Sequence, residues 1–224
     1  MTKEEVFLIQ KRLQAVNECN FLVMNSSVLL GANHPRDFAE EWADRDDCTL
    51  ATPWGCYDGI EGVRRCYGED MKDIRDEGMD ELLKGGLNME SIDGDIVEVA
   101  EDMQTARGVY IYQRGENTPT NNEIHGLERK CYWAWGWYGV DFINENGTWK
   151  IWHMRFFPFM RTPFGKNWTE HEYSGFPLRT PSCDRPALPF YRYHPDQMFP
   201  KNYPPIPRAY KTFADVAPGF GYEI

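Results

Sequence analysis

The first thirty residues carry apolar side chains at steps of three and four positions. The apolar positions in this stretch are Val6, Ile9, Leu13, Val16, Phe21, Met24 and Val28. Because a helix turns once every 3.6 residues, this spacing lines the apolar side chains along one face. The pattern therefore predicts an amphipathic helix from Lys3 to about Leu30.

Two shorter helices and a strand are predicted before residue 85. A second helix is expected from Asn33 to about Ala43, because Phe38 and Trp42 lie four positions apart. A short strand or loop is expected from Cys48 to Thr52, and a turn then leads into a third helix near Ile60.

Four later segments have the short apolar and aromatic runs, bounded by turn residues, that are typical of strands. They read NMESIDGDIVEVA, TARGVYIYQRG, GLERKCYWAWGWYGVDFINENG and TWKIWHMRFFPF. The NENG stretch between the last two is a strong hairpin signal. Helices followed by an antiparallel meander predict an α+β fold with the helices on one face of the sheet.

Strict alternation assigns the side chains of the last two strands to two faces. One face of the first of these strands carries Tyr132 and Tyr138, and the other carries Trp133, Trp135 and Trp137. On the last strand, Ile151, His153, Arg155 and Phe157 are predicted to face the helices, with Trp152, Met154 and Phe156 on the opposite side. Both faces are rich in apolar residues, so both are expected to be covered.

The composition of the chain changes at Pro158. Twelve of the fifteen prolines lie in the last 67 residues, which disfavours regular secondary structure there. The same segment is rich in Phe and Tyr, which is unusual for a disordered tail. We predict an α+β domain over 1–157 and an extension over 158–224 packed on its own or a neighbouring subunit.

Composition and charge narrow the classes of partner. The chain has 224 residues with a formal net charge of -11, which disfavours nucleic acid and anionic membranes as partners. Aromatic residues make up 15% of the chain, enough to line a pocket or an interface as well as a core. The chain has no spanning apolar run, no apolar secretion signal and no Cys-x-x-Cys pair, so we expect a cytoplasmic protein with reduced thiols.

Sequence motifs give no support for a cofactor. The five histidines are dispersed, without His-x-His or His-Glu-x-x-His spacing, so a metal site is not expected. No glycine-rich phosphate loop or dinucleotide fingerprint follows a predicted strand.

The candidate chemistry lies on the last strand. His153 and Arg155 alternate with Ile151 and Phe157, which predicts two polar groups converging in an apolar space under the helices. His153 would move protons and Arg155 would hold a carbonyl or anionic oxygen. The alternative is a structural Arg155 paired with a helix carboxylate such as Glu18. Like charge and desolvation are both expected to lower the pKa of His153.

The helix order, the meander and the stretch WAWGWYGVDFINENGTWKIWHMRFF resemble the SnoaL-like group of the nuclear transport factor 2-like superfamily. The resemblance covers about Glu4 to Met160, and RTPFGKNW is similar to an extension found in some SnoaL-like proteins. It implies a curved antiparallel sheet forming a cone, with the N-terminal helices packed in its concave face. It also implies a pocket between helices and sheet.

Enzymes of this fold include polyketide cyclases, scytalone dehydratase, ketosteroid isomerase and a bile acid dehydratase, and they typically work without a cofactor. Relatives carry His-x-His where this chain has Asn88-Met89-Glu90, and a second His where it has Arg155. The Tyr and Asp that dehydratases place on the first helix have no match in CNFLVMNSSVLL. Of the usual residues, His153 carries over.

The resemblance implies cofactor-free dehydration or double-bond isomerisation next to a carbonyl of a small, apolar, cyclic molecule, either aromatic or steroid-like. His153 would be the acid or base, Glu90 or Asp141 a second carboxylate, and Arg155 an oxygen-stabilising group. The expected substrate-binding residues are Tyr110, Tyr132, Tyr138, Ile151 and Phe157. The alternative is a non-catalytic small-molecule-binding or partner subunit of the same fold.

A homo-oligomer, dimer or trimer, is also predicted. The hairpin would place the set Trp133, Trp135 and Trp137 beside the set Trp152, Met154 and Phe156 on one sheet face. Burying such a patch would be worth several kcal/mol at roughly 25 cal/mol per Å².

Overall fold

A computed structural model describes residues 1–119, 129–170, 182–201 and 203–211. No helix within these ranges is both long enough and apolar enough to cross a membrane.

The predicted long helix, α1, runs from Lys3 to Gly31. It begins with a capping box, in which the Thr2 side chain accepts from the Glu5 backbone and the Glu5 side chain accepts from the Thr2 backbone. The later helices are α2 (Pro35–Ala39), α3 (Gly59–Arg65), a π-helix (Cys66–Asp70) and α4 (Met79–Leu83). The second helix is shorter than predicted, because Trp42 leaves it to bridge to Ile151 of the sheet.

The sheet has six strands in the spatial order β2-β1-β6-β5-β4-β3. The strands are β1 (Thr49–Thr52), β2 (Gly55–Asp58), β3 (Leu87–Val99), β4 (Thr105–Pro119), β5 (Arg129–Glu145) and β6 (Thr148–Pro163). Strands β3 to β6 form the predicted antiparallel meander, and β1 adds to β6 in parallel. The β5–β6 hairpin turns at Asn146 and Gly147, both with positive φ, as the NENG signal predicts.

The two faces of the curved sheet have different covers. We call the face that packs on the helices the concave face; Tyr110, Tyr138 and Met154 lie on it within the main core. We call the other the convex face. Val109 and Phe157 lie on it and pack against Tyr203. Tyr203 belongs to the C-terminal segment, a name that we use for residues 182–201 and 203–211. The α+β cone predicted from the sequence is confirmed.

Strand β6 contains two bulges that reverse which residues face the helices. Asp141 pairs with His153 but Phe142 pairs with Ile151, so one extra residue of β6 lies between them. Ile151 is therefore in the main core, whereas His153 and the residues after it turn to the convex face. A second irregularity, between Trp135 and Gly136, turns the end of β6 back again.

The prediction that His153 and Arg155 point into the space beneath the helices is therefore wrong. Arg155 donates from Nη2 to the carbonyl oxygen of Pro189, 2.7 Å away in the C-terminal segment. Phe157, expected in the pocket, packs on Tyr203 of that segment instead. Strict alternation fails at the first bulge, because the extra residue moves every following side chain of β6 to the opposite face of the sheet.

The prediction that two aromatic sets share one sheet face is wrong for the same reason. Trp137 pairs with Phe157, and Tyr138 pairs with Phe156. Met154 and Phe156 therefore lie on the concave face, away from Trp137 on the convex face. The residues Trp133, Trp135 and Trp137 alternate on the convex side, as predicted.

Strand β6 extends to Pro163, beyond the predicted domain boundary at residue 157. Prolines are tolerated in this strand because the ladder is already broken near them by the second irregularity. Described residues of the extension pack on the convex face, where Phe199 and Tyr203 contact Trp137. Of the predicted extension, residues 171–181, 202 and 212–224 lie outside the described residues.

Candidate active site

A group of polar residues lies on the concave face, across strands β3 to β6. Glu90 of β3 pairs with Arg114 of β4, and the neighbouring Glu116 pairs with Tyr132 of β5. Arg161 joins them from β6, because the second irregularity returns the end of that strand to the concave side. Period-two alternation along β4 places Arg114 and Glu116 on the same face as the core tyrosines.

Glu90 is the half-buried carboxylate of this group. It accepts a short hydrogen bond from the hydroxyl of Tyr138, a residue that is only 3% exposed. Burial raises the pKa of Glu90, while Arg114 and the Tyr138 hydrogen bond offset part of the rise. A carboxylate with a raised pKa is a stronger base than one in water, and it remains partly accessible to a ligand.

Aromatic rings hold Tyr138 in place. The ring of Tyr138 stacks on Tyr112 with centroids 4.7 Å apart and meets Phe156 edge to face at 4.6 Å. The Tyr112 ring in turn lies over Gly136, where an added Cβ would come within 2.6 Å of it. Burial raises the pKa of Tyr138 well above its usual value, so its hydroxyl keeps its proton and remains a donor.

Arg161 and Glu116 form a buried ion pair. Arg161 donates from Nε at 2.6 Å and from Nη2 at 2.5 Å to the same oxygen of Glu116. The two side chains are 2% and 4% exposed, and the guanidinium lies 3.6 Å over the ring of Tyr132. Because Glu116 is bound by Arg161, the pair has a structural role on the concave face.

Several buried polar atoms near this group have no hydrogen-bond partner among the described residues. They are the Tyr67 hydroxyl, Trp42 Nε1, Asn88 Oδ1 and Arg114 Nε. Tyr67 is on the π-helix, and burial first, then Cys66 and Glu90, raise its pKa well above the usual value. Because buried polar atoms are normally paired, a cluster of unpaired ones marks a place for a ligand or water. We call the region lined by Tyr67, Glu90, Arg114 and Tyr138 the recess.

No protein-family model and no curated protein matches the sequence. Solved structures do match. A proposed scytalone dehydratase from Novosphingobium aromaticivorans DSM 12444 superposes with a TM-score of 0.54 at 14% identity, over 71% of this chain and 94% of that chain. Hexachlorocyclohexane dehydrochlorinase LinA-type3 from Novosphingobium barchaimii LL02 superposes with a TM-score of 0.52 at 14% identity, over 70% and 94%. The chain therefore shares the α+β fold of these two proteins. At identities this low the likeness establishes the fold and carries over no activity.

Five of the predicted site residues are on the concave face of the sheet. Glu90, Tyr132 and Tyr138 lie at or beside the recess, as described above. Tyr110, also on the concave face, is fully buried, and its hydroxyl donates to Asn20 of α1 at 2.9 Å. Ile151 is on this side too, but it is fully buried in the main core.

The other predicted catalytic residues lie on the convex face. Asp141 is fully buried, pairs with Arg107 at 2.9 Å and accepts from the Tyr210 hydroxyl at 3.0 Å. His153, 1% exposed, has its Nδ1 2.8 Å from the Thr49 hydroxyl. Glu18, the alternative partner of Arg155, contacts Gln14 instead.

The pKa of His153 is lowered to about 4, as the sequence predicts in direction. Burial is the largest cause, Asp47 opposes it, and Arg45 and Arg107 add to it. The predicted like-charge partner, Arg155, is not among these causes. The His153 imidazole is thus neutral at pH 7 but sealed from the recess by the sheet itself.

Sequence reasoning missed Arg114, Glu116, Arg161 and Tyr67. Arg114 and Glu116 had a usable signal, since they continue the alternation of Tyr110 and Tyr112. Arg161 had none, because only the bulged register brings it to the concave side. Tyr67 lies in a π-helix, a feature common at functional sites that apolar periodicity does not predict.

The described residues give less support to a ligand site or a metal site elsewhere. An open depression of about 410 Å³ lies at the other end of β5, lined by Arg45, Gln104, Ile143, Asn144, Glu145 and Asn146. Its lining lacks the aromatic residues that a small-molecule site normally has. Within the described part of the chain, no three His, Cys, Asp or Glu side chains are grouped to hold a metal ion.

Proposed function

We propose that the recess moves a proton next to the carbonyl group of a small cyclic molecule, with loss of water or a shift of a double bond as the outcome. The observation that carries this proposal is the Glu90 carboxylate, half-buried and bonded to Tyr138 in an aromatic wall. General bases in enzymes have this setting, because partial burial raises basicity without closing the site.

The chemical steps follow from the groups in the recess. Glu90 takes a proton from the carbon beside the carbonyl, and the electron pair of the C–H bond moves toward the carbonyl oxygen. Tyr67, whose hydroxyl has no hydrogen-bond partner among the described residues, can donate a hydrogen bond to that oxygen as charge develops, while Tyr138 keeps its bond to Glu90. In a dehydration, the C–O bond to a neighbouring hydroxyl then breaks, and the proton on Glu90 leaves with it as water. In an isomerisation, the same proton returns to a different carbon.

The apolar surroundings favour a cyclic or aromatic substrate. Trp42 and Phe38 contact Tyr67 on the helix side, with ring centroids 6.4 and 5.2 Å away. Tyr112 and Phe156 line the sheet side. Flat rings stack well between such aromatic side chains.

Proton abstraction can be measured without knowing the substrate. Cyclic ketones are incubated with the protein in D2O, and loss of their α-hydrogen signals is followed by proton NMR. Wild-type protein is expected to speed the exchange of at least one ketone, with a rate that rises as Glu90 ionises above the usual carboxyl range. The Glu90→Gln variant should lose about 100-fold or more of that rate, as expected for a general base.

The control is His153→Asn, which changes a titratable group on the other side of the sheet. It should exchange the ketone at the wild-type rate. Equal rates in wild type and Glu90→Gln would contradict the proposal. Binding of ketones without any exchange would favour the alternative, a non-catalytic binding protein of the same fold.

A further inference from the structure

Arg114 is the charged residue of the recess whose partners are incomplete. Its side chain is 23% exposed, and its one ion pair among the described residues joins Nε to Glu116 at 3.3 Å. Nε has no hydrogen bond in this geometry. A guanidinium has five N–H donors, and burying it with few partners is costly.

The neighbouring carboxylates do not complete its shell. Glu116 is bound through its other oxygen by two nitrogens of Arg161. Glu90 is bound by Tyr138, and within the described residues no ion pair of 4.0 Å or less joins it to Arg114. Burial lowers the pKa of Arg114, but Glu116 and Glu90 act on the guanidinium through space and raise its pKa overall, so the group stays charged.

Across the sheet, the neighbours of Arg114 are a small side chain and a second arginine. Ala134 lies opposite Arg114 on β5, and Arg161 follows on β6. Since 23% of the Arg114 side chain is exposed, a ligand group can approach the guanidinium from that exposed side.

We infer that the recess recognises a carboxylate on its substrate, held by the free N–H groups of Arg114 beside Glu90. Guanidinium binds carboxylate through two parallel hydrogen bonds, which a neutral amide or ketone cannot reproduce. The inference rests on the proposed function in placing the substrate in the recess, and it adds the substrate class: a small cyclic carboxylic acid. The carboxylate would fix the ring so that its neighbouring carbon faces Glu90.

The test compares two ligands that differ only in charge. Phenylacetate and phenylacetamide are titrated into the full-length protein at low salt and pH 7 by isothermal titration calorimetry. Wild-type protein should bind phenylacetate at least about tenfold more tightly, as expected for charged hydrogen bonds in a sheltered site. Arg114→Met should reduce this preference to within about twofold, and Arg114→Lys, which keeps charge but not the fork, should retain part of it.

Arg155→Met is the matched control. It removes one positive charge, as Arg114→Met does, but from the opposite face of the same sheet. The preference for phenylacetate over phenylacetamide should therefore stay as in wild type. A preference that survives in Arg114→Met, or a wild type that binds the two ligands equally or binds neither, would overturn the inference.

The result is separable from the failure of the proposed function. These ligands are scored by affinity and not by reaction, and Glu90→Gln should keep or increase the preference for phenylacetate, because it removes a like charge beside the bound carboxylate. If Glu90→Gln exchanges ketones normally while the preference depends on Arg114, the carboxylate site stands and the role of Glu90 falls.

Discussion

Glu90 and His153 are two titratable residues with different immediate surroundings. Glu90 keeps contact with solvent and a charged neighbour, and burial raises its pKa. His153 is 1% exposed, and burial lowers its pKa to about 4. In both cases burial disfavours the charged form, so the same physical cause makes one residue a better base and keeps the other neutral at pH 7.

His153 should make stability depend on pH. A histidine whose pKa is about 4 in the folded protein and 6.5 in the unfolded chain contributes stability above pH 6.5 that is lost as the pH falls through 4. The full contribution is roughly 3 kcal/mol, at about 1.4 kcal/mol for each pH unit between the two values.

The prediction is tested by urea unfolding of wild type and His153→Asn at several pH values. The difference in free energy of unfolding between them should fall by roughly 3 kcal/mol between pH 7 and pH 4. Acid effects on other groups are common to both proteins and cancel. A difference that does not change with pH would show that His153 titrates normally.

At the scale of elements, the pairing of β6 limits how much of the site can be predicted from the sequence. Continuous alternation along β6 predicts that His153, Arg155 and Phe157 lie in the pocket. The two irregularities in its pairing instead turn these residues out and Arg161 in. An extra strand residue leaves no trace in apolar periodicity, because both faces of this sheet are covered and apolar residues occur at every position.

The elements with one clear period were predicted well. The long helix, the four meander strands and the Asn146-Gly147 turn have the predicted places. Tyr132 and Tyr138 share the concave face as their alternation predicts, because the pairing of β4 and β5 is uninterrupted. Glu90, proposed from the family resemblance, lies on the same face. The second helix was predicted to be longer than it is. Its apolar spacing continues to Trp42, which contacts β6 and is not part of the helix.

The C-terminal segment covers the part of the convex face around Trp137 and Phe157. Arg185 pairs with Cys56 of β2 through the backbone and binds Asp58 with two hydrogen bonds of 2.6 Å. Further along, the Tyr203 hydroxyl accepts from the Tyr191 backbone at 2.8 Å, and its ring meets Phe157 at 5.4 Å. The segment thus joins the edge of the sheet to its centre.

Tyr203→Ala should lower the free energy of unfolding by about 3 kcal/mol, because it removes a ring from the convex core and leaves a buried amide unpaired. Guanidinium denaturation followed by tryptophan fluorescence measures this. Met198→Ala, in the same segment but 87% exposed, is the control and should unfold like wild type. If the two variants have equal stability, the segment adds nothing to the core.

At the scale of the molecule, part of the convex face stays uncovered. Met89 pairs through Gly115 with Trp133, and these two apolar side chains are 68% and 44% exposed. Phe164 lies against Trp133, with ring centroids 5.9 Å apart, and is 67% exposed. A continuous apolar surface of this kind is typical of an interface.

We propose that the protein is a homo-oligomer through this uncovered part of the convex face. Wild type should run as a dimer or trimer at micromolar concentration in size exclusion with light scattering, and Met89→Lys with Trp133→Lys should convert it to a monomer. Phe7→Lys, which places the same charge on an exposed apolar position of α1, should leave the mass unchanged. A wild-type monomer would contradict the proposal.

The first bulge of β6 also separates position in an alignment from position in space. Ile151 and His153 are two residues apart, yet the sheet lies between their side chains. A chain of the same fold whose β6 paired these residues without the bulge would present an identical His-x-Arg motif to its ligand, while here Arg155 of the motif holds the C-terminal segment. The presence or absence of one bulge can therefore exchange a catalytic residue for a structural one without altering any side chain, and shared motifs on β6 should be compared by register before they are compared by identity.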